Sequence, residues 1–402
     1  MLQEVGNAAV LRRTEAIGRV WSKYNEELIG ARGLFVVEDR ADELSIPGDR
    51  DFAGQGFLRC LMASRRLQLI QSERGARDFR YSAPIFCDTN FVSYCGAFAA
   101  GRNLGAIHDA FTESVRFLLP FRDSLGAYPY LVENAENPDE VKVRSSLIGF
   151  AALKLTAPAD FSRDGEFVAS ESHEVEQIVQ GCMAEMRKAE FATVQQWVKQ
   201  QHYLPSRVVL LKAAVIAFSQ PQASIAHKME VLHQFLHSNL ARMHNFQLYV
   251  ASRFFSVSAS ETFFSGVQRN AARLDTVLRS MAWDLAHWRT MFDLITIKSS
   301  RSNETAFPIP HFLSFDKRFI DLIKTFQLDG IIYAANGRRC EQFYSRQLLK
   351  PVSDLLRTSL ARFYSADALQ DREARSSDEA ALDAHLVNLE GDLAEELKNR
   401  LK

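Results

Sequence analysis

Apolar residues in this chain fall into short continuous runs and longer stretches of helical spacing. Two of the short runs share one form. Pro84-Ile85-Phe86-Cys87 ends on Asp88 and is followed by the small polar pair Thr89-Asn90. His311-Phe312-Leu313-Ser314-Phe315 ends on Asp316, and Lys317-Arg318-Phe319-Ile320 leads into helical spacing. Each reads as a buried strand, a carboxylate at its end and a helix start. Phe319, Leu322, Ile323 and Phe326 then share one helical face ahead of Gly330-Ile331-Ile332-Tyr333, a further strand. That order predicts strand–helix–strand, the unit of a parallel sheet.

The remaining pattern organises the chain around these runs. Residues 7–29 have helical character, with Val10, Ile17, Val20, Trp21 and Leu28 as a loose stripe. Gly33–Val37 predicts a strand, Ser45–Asp49 a turn, Gly56–Arg66 a helix, Leu67–Ile70 a strand and Gln71–Arg80 a loop. Residues 1–79 thus read as a small α/β extension. Gly126–Asn134 is an apolar segment carrying Glu133 near its end. Residues 145–155 predict a helix and 156–168 a loop. Residues 171–280 are helical in pattern, interrupted at Pro205 and near Pro221. Leu274–Asp293 predicts a long helix carrying Asp284, and Leu294–Ile297 either extends it or forms a strand. From Asn336 to about Tyr364 the pattern is again helical, and Asp371–Glu379 reads as a charged linker. Leu382, Leu386, Leu389, Leu393, Leu397 and Leu401 fall on one face of a last helix. That face suits docking on its own domain, a protein partner or a homodimer.

Composition narrows the function. With 402 residues, 47% hydrophobic and 29 of them Phe, the chain can bury a large core or two modest ones. The net charge of −1 carries no global signature of a nucleic-acid binder, so any phosphate-binding surface is a local patch. No apolar run reaches the ~20 residues that span a bilayer, and the first residues lack the pattern of a signal peptide. Cys60, Cys87, Cys95, Cys182 and Cys340 are scattered without a CxxC, as expected of reduced thiols in a cytoplasmic protein. His233 and His237 share a helical face, but no HExxH motif accompanies them.

The two strand-end aspartates suggest a metal site. Two such ends in one sheet bring carboxylates together, and clustered carboxylates repel unless a divalent cation neutralises them. Asp88-Thr89-Asn90 after a strand, Glu133 after a second segment, Asp284 in a helix and Ser314-Phe315-Asp316 after a late strand resemble PIN-domain nucleases in residue type and order. The first gap, 133 − 88 = 45 residues, is ordinary for that family, whereas 284 − 133 = 151 is much longer than a minimal domain has. Glu136 and Glu140 compete with Glu133 for the second acidic position.

This resemblance implies an α/β fold with a mostly parallel central sheet flanked by helices over about 80–335. It also implies a large helical insertion at about 156–265, with 336–402 as a helical C-terminal region. It implies Mg²⁺ or Mn²⁺ held by Asp88, Asp284 and Asp316, with Glu133 completing a catalytic acidic set. Asn90 and Ser314 would orient the carboxylates, and Arg289, Lys317 and Arg318 would contact substrate phosphate. The implied activity is metal-dependent hydrolysis of RNA or single-stranded nucleic acid, RNA ahead of DNA, as in toxins, RNA-processing enzymes or defence effectors. The alternatives are a catalytically silent PIN-like scaffold that binds a protein partner, and a phosphotransfer enzyme using Asp88. The last wants Asp-x-Asp, and position 90 is asparagine.

Overall fold

In the computed structural model of the chain, the described residues are 32–38, 49–60, 66–71, 75–77, 80–135, 139–161, 167, 172–256, 262–269, 271, 273–301, 306–325, 328–333, 340–344, 359–375 and 379–398. The helix predicted over 7–29, most of the 45–49 turn, Glu136, Phe326 and Leu401 lie outside them. The chain mixes α and β structure, is mostly helical, and forms two compact units. The first comprises residues 1–195 with 291–345, the second 196–290 with 346–402.

In chain order the first unit contains β1 (Arg32–Glu38), β2 (Arg50–Phe52), β3 (Gly56–Cys60), β4 (Arg66–Gln71), β5 (Gly75–Arg77), β6 (Arg80–Ser82) and β7 (Ile85–Cys87). Then follow α1 (Thr89–Ala99), α2 (His108–Leu118), β8 (Leu125–Gly126), α3 (Tyr128–Asn134), α4 (Glu140–Leu155) and α5 (His173–Met186). The next helices are α6 (Ala189–Val198), α7 (Leu204–Ser219), α8 (Ile225–Phe235), α9 (Asn245–Ser256) and α10 (Leu274–Arg301). The chain continues through β9 (Ala306–Pro308), β10 (His311–Ser314), α11 (Lys317–Lys324), β11 (Leu328–Tyr333), β12 (Cys340–Tyr344), α12 (Ala366–Arg375) and α13 (Glu379–Lys398).

One sheet has the order β2-β3-β10-β7-β8. β10, β7 and β8 run parallel, and β3 joins β10 antiparallel, with Leu313 opposite Leu58. Ile85, Cys87, Leu313 and Leu58 are fully buried, so the hydrophobic effect fixes the register at the sheet's centre. The sheet is therefore mixed rather than mostly parallel. The antiparallel part comes from residues 56–60, for which the sequence predicts a helix. Short apolar runs are ambiguous between helix and strand, and pairing on both sides with β2 and β10 decides this one. Residues 50–60 thus belong to the sheet that carries Asp88, not to a separate extension.

The predicted strand–helix–strand is also corrected. β10 and β11 lie in different sheets, because β11 pairs antiparallel with β1 and β12 in the order β12-β11-β1-β4-β5. β12 replaces part of the helix predicted after Asn336, and β5 interrupts the predicted loop at 71–80. The 294–297 segment continues α10, and α12 covers the start of the predicted linker. Gly126–Asn134 is a two-residue strand followed by the helix that carries Glu133.

Helix α1 is pinned by a crossing with α4. A Cβ on Gly96 would stand 2.7 Å from the Ser145 carbonyl oxygen, and one on Gly149 would overlap the Cys95 backbone. The two helices meet backbone to backbone, which only glycine allows at this distance.

The second unit is built around α7, whose side chains are buried on all sides, and α8, α9 and α13 pack on it. Leu382, Leu389 and Leu393 of α13 are buried. Leu386 and Leu397 are half-buried, so most of the leucine face packs within the helix's own unit, as the docked reading expects. The second unit runs past the predicted insertion at its C-terminal side, while α5 groups with the first unit.

Replacing Gly149 with Ala should destabilise the fold by about 2–3 kcal/mol or more, because backbone must move rather than a side-chain end. Chemical denaturation of the variant checks this. An unchanged midpoint would show that the crossing relaxes freely.

Candidate active site: a carboxylate pair at the ends of two parallel strands

The strand-end expectation holds in its geometry. Asp88 and Asp316 follow β7 and β10, which are adjacent and parallel, so both carboxylates stand at one edge of one sheet. The Asp88 N–H extends the ladder, donating to the Leu313 carbonyl at 3.0 Å. Its side chain then does two jobs. Oδ1 accepts the Phe91 N–H at 2.6 Å and caps α1. Oδ2 accepts the Ser314 hydroxyl at 2.8 Å and the Phe315 N–H at 3.0 Å, which ties β7 to the end of β10. Ser314 Oγ in turn accepts the Asp316 N–H at 3.1 Å, so one hydroxyl links the two aspartates.

Asp316 caps α11 through the Arg318 and Phe319 N–H groups at 2.8 and 3.2 Å. Its other oxygen pairs with the Arg318 guanidinium at 3.2 Å. Glu133, on α3, accepts a short hydrogen bond from the Thr89 hydroxyl, directly after Asp88. Three of the four predicted acidic residues therefore lie in the first unit. Two, Asp88 and Asp316, are joined through Ser314, and the third is held beside Asp88.

The electrostatics penalise the charge of Asp88 in particular. Asp88 is 7% exposed. Burial pushes its carboxyl up to about 6, against the pull of the Phe91, Phe315 and Ser314 donors, and the charge of Asp316 raises it further. The Tyr94 hydroxyl is raised from its ordinary value first by burial and then by the charges of Asp88 and Asp316. Its ring lies 5.9 Å from that of Phe315, which also contacts Phe91 and Phe111. The carboxylate pair thus sits on an aromatic bed that lowers the local dielectric.

Other predicted residues fall elsewhere. Asn90 is half-buried in the first turn of α1, and Lys317 is exposed in the first turn of α11. Arg318 is turned back onto Asp316. Asp284 and Arg289 lie on the part of α10 that belongs to the second unit, so the four-acid set is not assembled within one unit. Among the described residues no group of three or more His, Cys, Asp or Glu is arranged to hold a metal ion. His233 Nδ1 is spent on the Met229 carbonyl at 2.7 Å, which leaves no His233–His237 metal pair through that atom.

The pair nonetheless suits a hard divalent ion. A carboxylate offers about four acceptor positions, and the hydrogen bonds above use three on each aspartate. Asp88 keeps a position on Oδ1 and Asp316 one on Oδ2. Mg²⁺ is commonly held by one or two carboxylates, with waters and substrate phosphates completing its shell.

Sequence reasoning did not single out Thr89, Tyr94 or Phe315 as site residues. The signal available was the spacing Phe91, Tyr94, Phe98, an aromatic stripe beginning one turn after Asp88. Compared with protein-family models, curated proteins and solved structures, the chain matches none.

With a chelator present, the raised Asp88 carboxyl makes a signed prediction. The folded state binds a proton there more tightly than the unfolded chain, so stability is fully present below about pH 4 and lost as pH rises through about 6. The loss is about 3 kcal/mol. Denaturation curves between pH 4 and pH 7 should show Asp88→Asn losing less stability than the parent by about that amount. Parallel profiles would refute the assignment.

Proposed function

We propose that this chain is a PIN-like, metal-dependent nuclease acting on RNA or single-stranded nucleic acid. The observation that carries the proposal is the placement of Asp88 and Asp316 at the ends of adjacent parallel strands, linked through Ser314. A bound Mg²⁺ or Mn²⁺ would activate water near neutral pH and stabilise charge on the phosphoryl oxygens. Asp88 and Asp316 would hold the ion, and Glu133 would add negative charge beside Asp88. Ser314 and Thr89 keep these carboxylates oriented through the hydrogen bonds already described. Lys317, exposed in the first turn of α11, would meet a phosphate. Arg318 would be available for the same task if a cation replaced it at Asp316.

A silent scaffold is the second reading, favoured by the Arg318–Asp316 ion pair, which supplies a resident cation. The two differ in outcome. The nuclease reading expects Mg²⁺- or Mn²⁺-dependent cleavage abolished by chelator. Asp88→Asn and Asp316→Asn should each reduce it by roughly 100-fold or more, and Ser314→Ala by about 10-fold. Circular dichroism should show the fold retained. A double Asp88→Asn/Asp316→Asn variant that cuts as fast as the parent ends the proposal.

A further inference from the structure

The second unit contains a buried arginine that has no carboxylate opposite it among the described residues. Arg372, on α12, is 7% exposed, whereas its neighbours Asp371 and Glu373 are exposed. Arginines this buried are ordinarily paired. Arg207 of the same unit, 1% exposed, pairs with both Asp275 and Glu390. Arg372 pairs with no carboxylate among the described residues. Its Nη1 donates to the Phe363 carbonyl at 2.7 Å and to His237 Nδ1 at 3.3 Å.

Asp371 does not compensate it. That carboxylate is engaged by Arg375 and by His237 Nε2 at 3.3 Å. A guanidinium can only donate, so His237 Nδ1 accepts, and Nε2 carries the proton toward Asp371. His237 is therefore neutral, consistent with a pKa lowered by burial and by Arg375 and Arg372.

Arg372 borders a cavity of about 560 Å³. Arg242, Asn245 and Tyr364 supply further polar wall, Met243 and Leu369 supply apolar wall, and Glu373 adds one opposing charge. Two arginines against one glutamate leave the wall positive. Arg242 is exposed and donates to the neutral Gln201 side chain at 3.2 Å, with no carboxylate paired to it among the described residues. The same positive field reaches His244, which burial, Arg242, Arg289 and His202 push down to about 4. The volume far exceeds the ~30 Å³ share of a water and lies within the roughly 300–1,000 Å³ of small-molecule sites. The space has room for an organic body as well as a charged group.

We propose that this cavity binds a small organic phosphate ester. Arg372 and Arg242 take the phosphate, and the ester's apolar body lies against Tyr364, Met243 and Leu369. Two guanidinium forks suit the geometry and double charge of a phosphate better than a single carboxylate. The inference does not rest on the nuclease reading.

The test is calorimetric titration of the full chain in chelator, with AMP and phenyl phosphate as probes and inorganic phosphate and adenosine as controls. At least one ester should bind at about 1 mM or tighter. Inorganic phosphate should bind more weakly than that ester, and adenosine roughly 10-fold more weakly than AMP. Arg242→Gln, at an exposed position, should weaken the ester several-fold with an unchanged melting temperature. Arg372→Lys keeps the charge but loses the fork, and should weaken it further. Failure of both esters to bind overturns the proposal. So does adenosine binding as tightly as AMP, or an unchanged affinity in Arg242→Gln, which decides alone if Arg372→Lys does not fold.

Discussion

The tie between Asp88 and the end of β10 is the interaction on which the first unit depends. One carboxylate caps α1, accepts the Ser314 hydroxyl and accepts the Phe315 N–H, across more than two hundred residues of sequence. It therefore sets where α1 begins and how β10 ends. Because Ser314 also accepts the Asp316 N–H, the same network sets the start of α11. Losing that acceptor would strand three buried donors at once, each costly to leave unmet.

This arrangement holds an opposition. Three donors stabilise the Asp88 anion, yet burial and Asp316 raise its pKa to about 6. Burial is the larger effect, so the charge is less comfortable here than in water. Structure alone would be served by an uncharged acceptor. A buried carboxylate beside a second carboxylate is the kind of strain that a cation would relieve. The aromatic bed of Phe91, Tyr94, Phe111 and Phe315 sharpens the conflict by keeping water away from one side.

The second unit treats buried charge in two ways. Arg207 sits at its centre with Asp275 and Glu390, and Glu390 comes from the C-terminal helix that docks on α7. There, charge pairing and leucine burial favour the same packing. Arg372 is buried with only neutral acceptors while it faces a cavity. The first is an internal staple, and the second leaves a positive charge beside open space.

Much of this was legible in the residues themselves. The runs ending at Asp88 and Asp316 announce strands because apolar continuity needs a sheet interior, and their carboxylates announce helix caps because Asp accepts N–H groups well. Helical spacing located α10, α11 and the leucine face of α13. What the pattern could not decide was pairing. Gly56–Cys60 is apolar enough for either helix or strand, and only β2 and β10 on its two sides make it a strand. β10 and β11 look like members of one parallel sheet until β1 takes β11 as an antiparallel partner. Asp284 fits a helical acidic position by order alone, but its helix segment folds into the other unit. Arg372 lies in a charged stretch that reads as linker, and its burial depends on Phe363 and His237 from distant positions. Local pattern reports what a segment can bury and which backbone groups its residues can cap. Which segments meet, and which charges are left without a partner, is decided by contacts between residues far apart in the chain.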